Sequence, residues 1–163
     1  MALLSVLLGG CFVSEQAKFP LSSAAPAFGD GGRYQSLVRE GDNYKQDAIL
    51  TLHHRADGAY DMIDEKNVSA PISFYSIGSD LYVAQGKTEE SSHSFHYIVA
   101  RIARGGAEAL LYAPECKAQD KAKLQSFGVE VRDEECVIDR VADPVGLFAT
   151  RALGEPTSKL VRQ

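Results

Sequence analysis

The residues of this chain that could do chemistry are four histidines, three groups of carboxylates and a set of tyrosines spread along predicted strands. His53 and His54 are adjacent, and on a strand successive side chains point to opposite faces, so the two do not readily share a metal ion. His93 and His96 are three apart, which also divides them between faces unless His93 lies in the preceding loop. A mixed site built across strands from His54 and His96 is the remaining arrangement, and the enzymatic reading is a small hydrolase in which His54 or His96 meets a carboxylate within hydrogen-bond reach. The carboxylates fall as Asp61, Asp64 and Glu65, then Glu89 and Glu90, then Asp133, Glu134 and Glu135. Paired carboxylates act as acid and base when their surroundings separate their pKa values. These groups sit at turns or on alternating strand positions, where solvated charge is the plainer reading.

Tyr34, Tyr60, Tyr75, Tyr82, Tyr97 and Tyr112 each fall on a different predicted strand. Aromatic residues on strands usually pack against cross-strand partners. Tyrosines with wet hydroxyl tips also line binding faces, and Tyr75, Tyr82 and Tyr97 are the candidate face here. The chain contains no GxSxG, HExxH, GxxxxGK[ST] or CxxC pattern. Gly29-Asp30-Gly31-Gly32 lacks the Lys-Ser/Thr of a phosphate-binding loop. No residue pattern calls for a cofactor or a metal.

The elements that must position these residues read as β from Arg33 onward. Leu50, Leu52 and His54 alternate with Ile49, Thr51 and His53, and Asp57-Gly58 then marks a hairpin into Ala59–Asp64. Gly78-Ser79 separates Pro71–Ile77 from Leu81–Gln85, and Gly105-Gly106 separates Ser94–Ala103 from Glu108–Ala113. With Arg33–Arg39 in front, about seven strands form an antiparallel meander, either a curved sheet or a small barrel. Lys117–Phe127 predicts a short helix stopped by Gly128. Asp143-Pro144 opens a second, with Asp as N-cap and Pro at the first helical position. Val141, Val145, Phe148 and Ala152 share one face of it. The tail 155–163 reads as frayed. The fold class is therefore α+β and β-rich, with two short C-terminal helices on the sheet.

Net charge is −5 with no dense Lys/Arg cluster, which argues against nucleic acid as a partner. The N-terminus carries a different message. An apolar run from Ala2 to Leu8 is followed by Gly9, Gly10 and Cys11. The run is too short to cross a bilayer, which takes about 20 residues, but it suits the core of an export signal. Leu8-Gly9-Gly10-Cys11 resembles the lipobox of bacterial lipoproteins, although residues 1–10 lack the basic start such signals carry.

That resemblance implies cleavage before Cys11, acylation of its thiol and new amino group, and a membrane as partner through lipidated Cys11. The domain would then face the periplasm in the cell envelope. The absence of Asp after the cysteine leans towards the outer membrane. Residues 1–10 would be the signal, 11–32 a flexible tether rich in Ser, Ala, Pro and Gly, and 33–163 the single domain. In an oxidising compartment the remaining pair, Cys116 and Cys136, reads as a disulfide.

The function these observations point to is a non-enzymatic binding or envelope-maintenance module, with an envelope protein or small ligand as partner. One alternative is a periplasmic inhibitor of a cell-wall hydrolase. It would resemble the small disulfide-bonded β-barrel lipoproteins that block lysozymes, and would act through the loop Lys87–Ser92.

Overall fold

In the computed structural model, residues 11–87, 95–117 and 120–163 are described. Strands β2 (Gly31–Glu40), β3 (Asn43–His54), β4 (Tyr60–Asp64), β5 (Ser69–Ser76), β6 (Leu81–Lys87), β7 (Phe95–Ile102) and β8 (Glu108–Tyr112) each pair antiparallel with the next. The three hairpins expected from Asp57-Gly58, Gly78-Ser79 and Gly105-Gly106 are all present. The meander closes through β11 (Ser158–Arg162), which lies between β8 and β2. The result is an eight-stranded antiparallel barrel with further strands attached. The tail is thus the closing strand rather than a frayed end. Its inward residues Ser158 and Leu160 are buried, and its partners lie far away in sequence, so no local turn signal announces it.

Eight strands enclose a space that side chains can just fill. Alternate positions of the wall supply that filling, among them Tyr34, Leu50, Tyr60, Met62, Phe74 and Ile98. Phe28 arrives from outside the wall and packs edge-on against Tyr34 and Phe74, with ring centroids 5.3 and 5.1 Å away. Its backbone N–H donates to the Tyr60 hydroxyl, and the Tyr34 hydroxyl donates to the Gly106 carbonyl. The barrel interior is a packed core.

A second core lies outside the barrel. One edge of β7 pairs with β6, while the other is shared between β8 at 99–102 and β1 (Phe12–Ser14) at 95–97. Beyond β1 run β10 (Glu135–Val137), parallel to it, and β9 (Glu130–Arg132). Two helices, α1 (Lys121–Ser126) and α2 (Pro144–Ala149), contribute Leu124, Leu147 and Phe148 to this layer, which packs on Tyr75, Val83, Tyr97 and Val99. The Asp143 carboxylate accepts from Gly146 N–H at 2.9 Å, the cap expected from the Asp-Pro pair. Val145, expected on the buried face, is exposed, because Leu147 and Phe148 supply the contact instead.

Residues 11–32 are not a flexible tether. Phe12, Val13, Phe19 and Phe28 are each at most 5 % exposed. Burying four such side chains is worth about 6–12 kcal/mol at 1.5–3 kcal/mol each, ample to fix a segment that composition alone presents as linker.

Candidate binding cleft

The outer face of the wall carries one continuous row: Ser73, Gln85, Tyr97, Phe12 and Cys136 are successive partners across β5, β6, β7, β1 and β10. Gln85 is the polar centre of this row and is buried. Its Oε1 accepts from the backbone N–H groups of Lys18 and Phe19 at 2.9 and 3.1 Å and from the Tyr97 hydroxyl at 3.1 Å. Its Nε2 donates to the Phe19 carbonyl at 3.1 Å. The Asp139 carboxylate accepts from Glu15 and Gln16 N–H, and the Lys18 ammonium donates to the Asp139 carbonyl. Phe19 stacks on Tyr75 at 4.8 Å. Residues 15–21 are therefore strapped across the wall by one buried amide, one carboxylate and one aromatic stack.

Burial pushes the Tyr97 hydroxyl up to about 12, against the opposing pull of its hydrogen bonds from Ser14 and Lys18. Tyr75 is raised for the same reason. Both remain neutral and serve as fixed hydrogen-bonding groups at any ordinary pH.

Between the strap, the β3–β4 turn and the wall lies a cleft of ≈ 510 Å³. Its floor is Pro71, Ser73, Gln85, Lys87 and Phe95, its roof Ala17–Leu21, and its side Arg55, Asp57 and Ala59. The Arg55 guanidinium is held by Asp57 at 2.7 Å and Asp61 at 3.3 Å. Leu21 stands 44 % exposed at the rim. Volume and lining match those of sites for small ligands, mostly apolar with a few placed polar groups. A smaller, charged hollow of ≈ 220 Å³ lies on the other side of the strap, lined by Glu15, Glu130, Arg132, Asp139 and Arg140 among others.

The residues singled out from sequence are distributed as follows. Cys116 and Cys136 form the disulfide. Cys11 is half-buried with its thiol outside any disulfide, and its carbonyl accepts from Cys136 N–H at 2.8 Å. Tyr75 and Tyr97 share the outer face, but both are buried, and Tyr82 packs against the barrel interior on the opposite side. The expected exposed tyrosine face is therefore not formed. Tyr82 lies opposite Ser76 while Tyr75 lies opposite Val83, so the one-residue offset sends them to different faces.

His53 and His54 are exposed, and the His54 ring rests 4.9 Å from Tyr60. Three strands separate His54 from His96, roughly 19 Å along the wall at 4.8 Å per strand, so the structure does not join them. Asp61 is engaged by Arg55, Asp64 caps Lys66 and Val68 N–H in its turn, and the acid-rich stretch at 133–135 lies on the β9–β10 hairpin. Among the described residues no three His, Cys, Asp or Glu side chains group as a metal site, and no helix is long and apolar enough to cross a membrane. His93, Glu89, Glu90, residues 1–10 and most of Lys87–Ser92 lie outside the described residues. Sequence reasoning missed Gln85, Asp139 and the Phe28 plug, since a single buried amide carries no periodic or motif signal.

The chain thus presents a closed antiparallel barrel with a strapped outer cleft. A scan against family models, a search of curated proteins and a search of solved structures each returned no match.

Proposed function

We propose that this protein is a lipid-anchored module of the bacterial cell envelope, attached through Cys11, that binds a small ligand in the cleft beneath residues 17–21. The observation that carries the binding reading is the ≈ 510 Å³ cleft, with apolar surface from Phe19, Leu21 and Phe95 and charge from Arg55 and Lys87. The interior of the barrel is filled, so the ligand seat of this fold is outside the wall. The Cys116–Cys136 bridge supports an oxidising compartment, where such bonds persist.

Radiolabelled palmitate fed to a bacterial host tests the anchor. Label on the wild-type chain and none on Cys11→Ala is the expected result, and an unlabelled chain retained in the cytosol overturns it. For the cleft, native mass spectrometry of protein isolated from membranes is expected to show a bound small molecule that is lost in Ala59→Trp. The same occupancy in both proteins would sink the cleft assignment.

The closed barrel with one disulfide also favours a second reading, inhibition of a cell-wall hydrolase. That reading requires lysozyme inhibition by the purified domain, lost when the loop Lys87–Ser92 is deleted.

A further inference from the structure

We infer that a bilayer surface of zwitterionic lipid is the partner of one particular face, made by the leading end of β1, the β9–β10 hairpin and residues 114–117. This rests on lipidation of Cys11 and concerns what that lipid does to the domain. A disordered segment of about 20 residues would let the domain wander some 25 Å from its anchor. Here the slack is absent. The Cys11 carbonyl is bonded to Cys136 N–H, Phe12 is fully buried, and Phe12 is paired on both sides, with Tyr97 and with Cys136. Cys136 is itself bridged to Cys116. The rigid sheet begins one residue after the acylated position, a reach of about 3.5 Å. An anchor so short holds the domain against the headgroups with one face inward.

The register identifies that face. Because Phe12 pairs with Cys136, Cys11 lies alongside Glu135, which pairs with Arg132. These positions are about 5 and 10 Å from the anchor at the spacing of strands. Asp133 and Glu134 lie in the adjoining turn, and Glu115 precedes the disulfide; all three are exposed. Lys117 pairs with Glu115 and Arg132 with Glu130, so acids outnumber bases across the face. Among the described residues, the exposed large apolar ones, Leu21, Tyr44, Val68 and Val145, all lie in other segments. A charged, mildly acidic face without apolar wedges rests on neutral headgroups, does not insert, and is repelled by anionic ones.

Carboxylate footprinting of the full chain tests this. Protein isolated from membranes is reconstituted into phosphatidylcholine vesicles, floated, labelled with a carbodiimide and an amine, and read by mass spectrometry. Reagent excluded by a surface one residue away should label Glu115, Asp133 and Glu134 at least about fivefold more slowly than in soluble Cys11→Ala protein, with Asp42 unchanged. A flexible insert of about ten residues between Cys11 and Phe12, reaching about 17 Å, should restore that labelling while the protein still floats. Protein that does not float overturns lipidation and this inference together. Floating protein whose three acids stay fully reactive overturns the fixed face alone, and so does protection that includes Asp42 or survives the insert.

Discussion

Replacing Gln85 with Leu should release the N-terminal strap while leaving the barrel intact. The side chain becomes one atom shorter, stays branched and apolar, and loses every polar contact. Phe19 N–H, buried and bonded to Gln85 Oε1, is left bare. An orphaned buried donor costs about 1–3 kcal/mol. Lys18 N–H retains the Tyr97 hydroxyl at 3.1 Å, and the Phe19 carbonyl retains the Tyr75 hydroxyl at 3.2 Å, so those losses are milder, about 1 kcal/mol together. The sum is about 2–4 kcal/mol, which lowers the melting temperature by roughly 4–16 °C for a chain of this size. Circular dichroism reads the melting point, and amide hydrogen exchange at Lys18 and Phe19 reads the strap. The reasoning fails if Gln85→Leu melts with the wild type, or if exchange quickens throughout the barrel and not first in residues 15–21.

Three further outcomes follow from the same contacts. The Tyr97 pKa rises from 10 in the unfolded chain to about 12 in the fold, so its stabilisation is complete below pH 10 and is lost as pH climbs towards 12. The loss amounts to about 2.7 kcal/mol at 1.36 kcal/mol per unit, and tyrosinate absorbance should rise together with unfolding; a separate, earlier titration of Tyr97 would contradict this. Cys116→Ser opens a loop of 20 positions and should cost about 3 kcal/mol, with protease cutting first between β8 and β10. Gly31 sits at φ +93°, where an added Cβ would overlap the Leu52 carbonyl, so Gly31→Ala should destabilise by at least about 2 kcal/mol in urea unfolding.

How much of this was legible beforehand depends on where each interaction closes. Asp57-Gly58 and Gly105-Gly106 announce their hairpins because those turns need positive φ locally, and Gly78-Ser79 marks its own as a small polar break between two apolar runs. Asp143-Pro144 announces α2 in the same way, through a cap completed within three residues. The pairing of Cys116 with Cys136 was also within reach, since it needs only composition and compartment. The hairpins and the helix cap rest on chemistry contained in a short stretch of chain, and the sequence by itself determined them, whereas the disulfide was expected only on the premise of an oxidising compartment.

What only the tertiary structure decided lies at long range. Ser158–Arg162 closes the barrel on Tyr34–Val38, and Phe12 takes up a strand edge that β8 leaves vacant on β7. Gln85 gathers residues 18–19 from across the wall, and a one-residue offset puts Tyr82 inside the barrel while Tyr75 stays outside. Side-chain period carries no information about which distant strand will supply the partner. A tail strand of mixed polarity, Ser158–Arg162, and an Ala/Pro/Ser-rich leader bury side chains only because the closing barrel offers them apolar surface to cover.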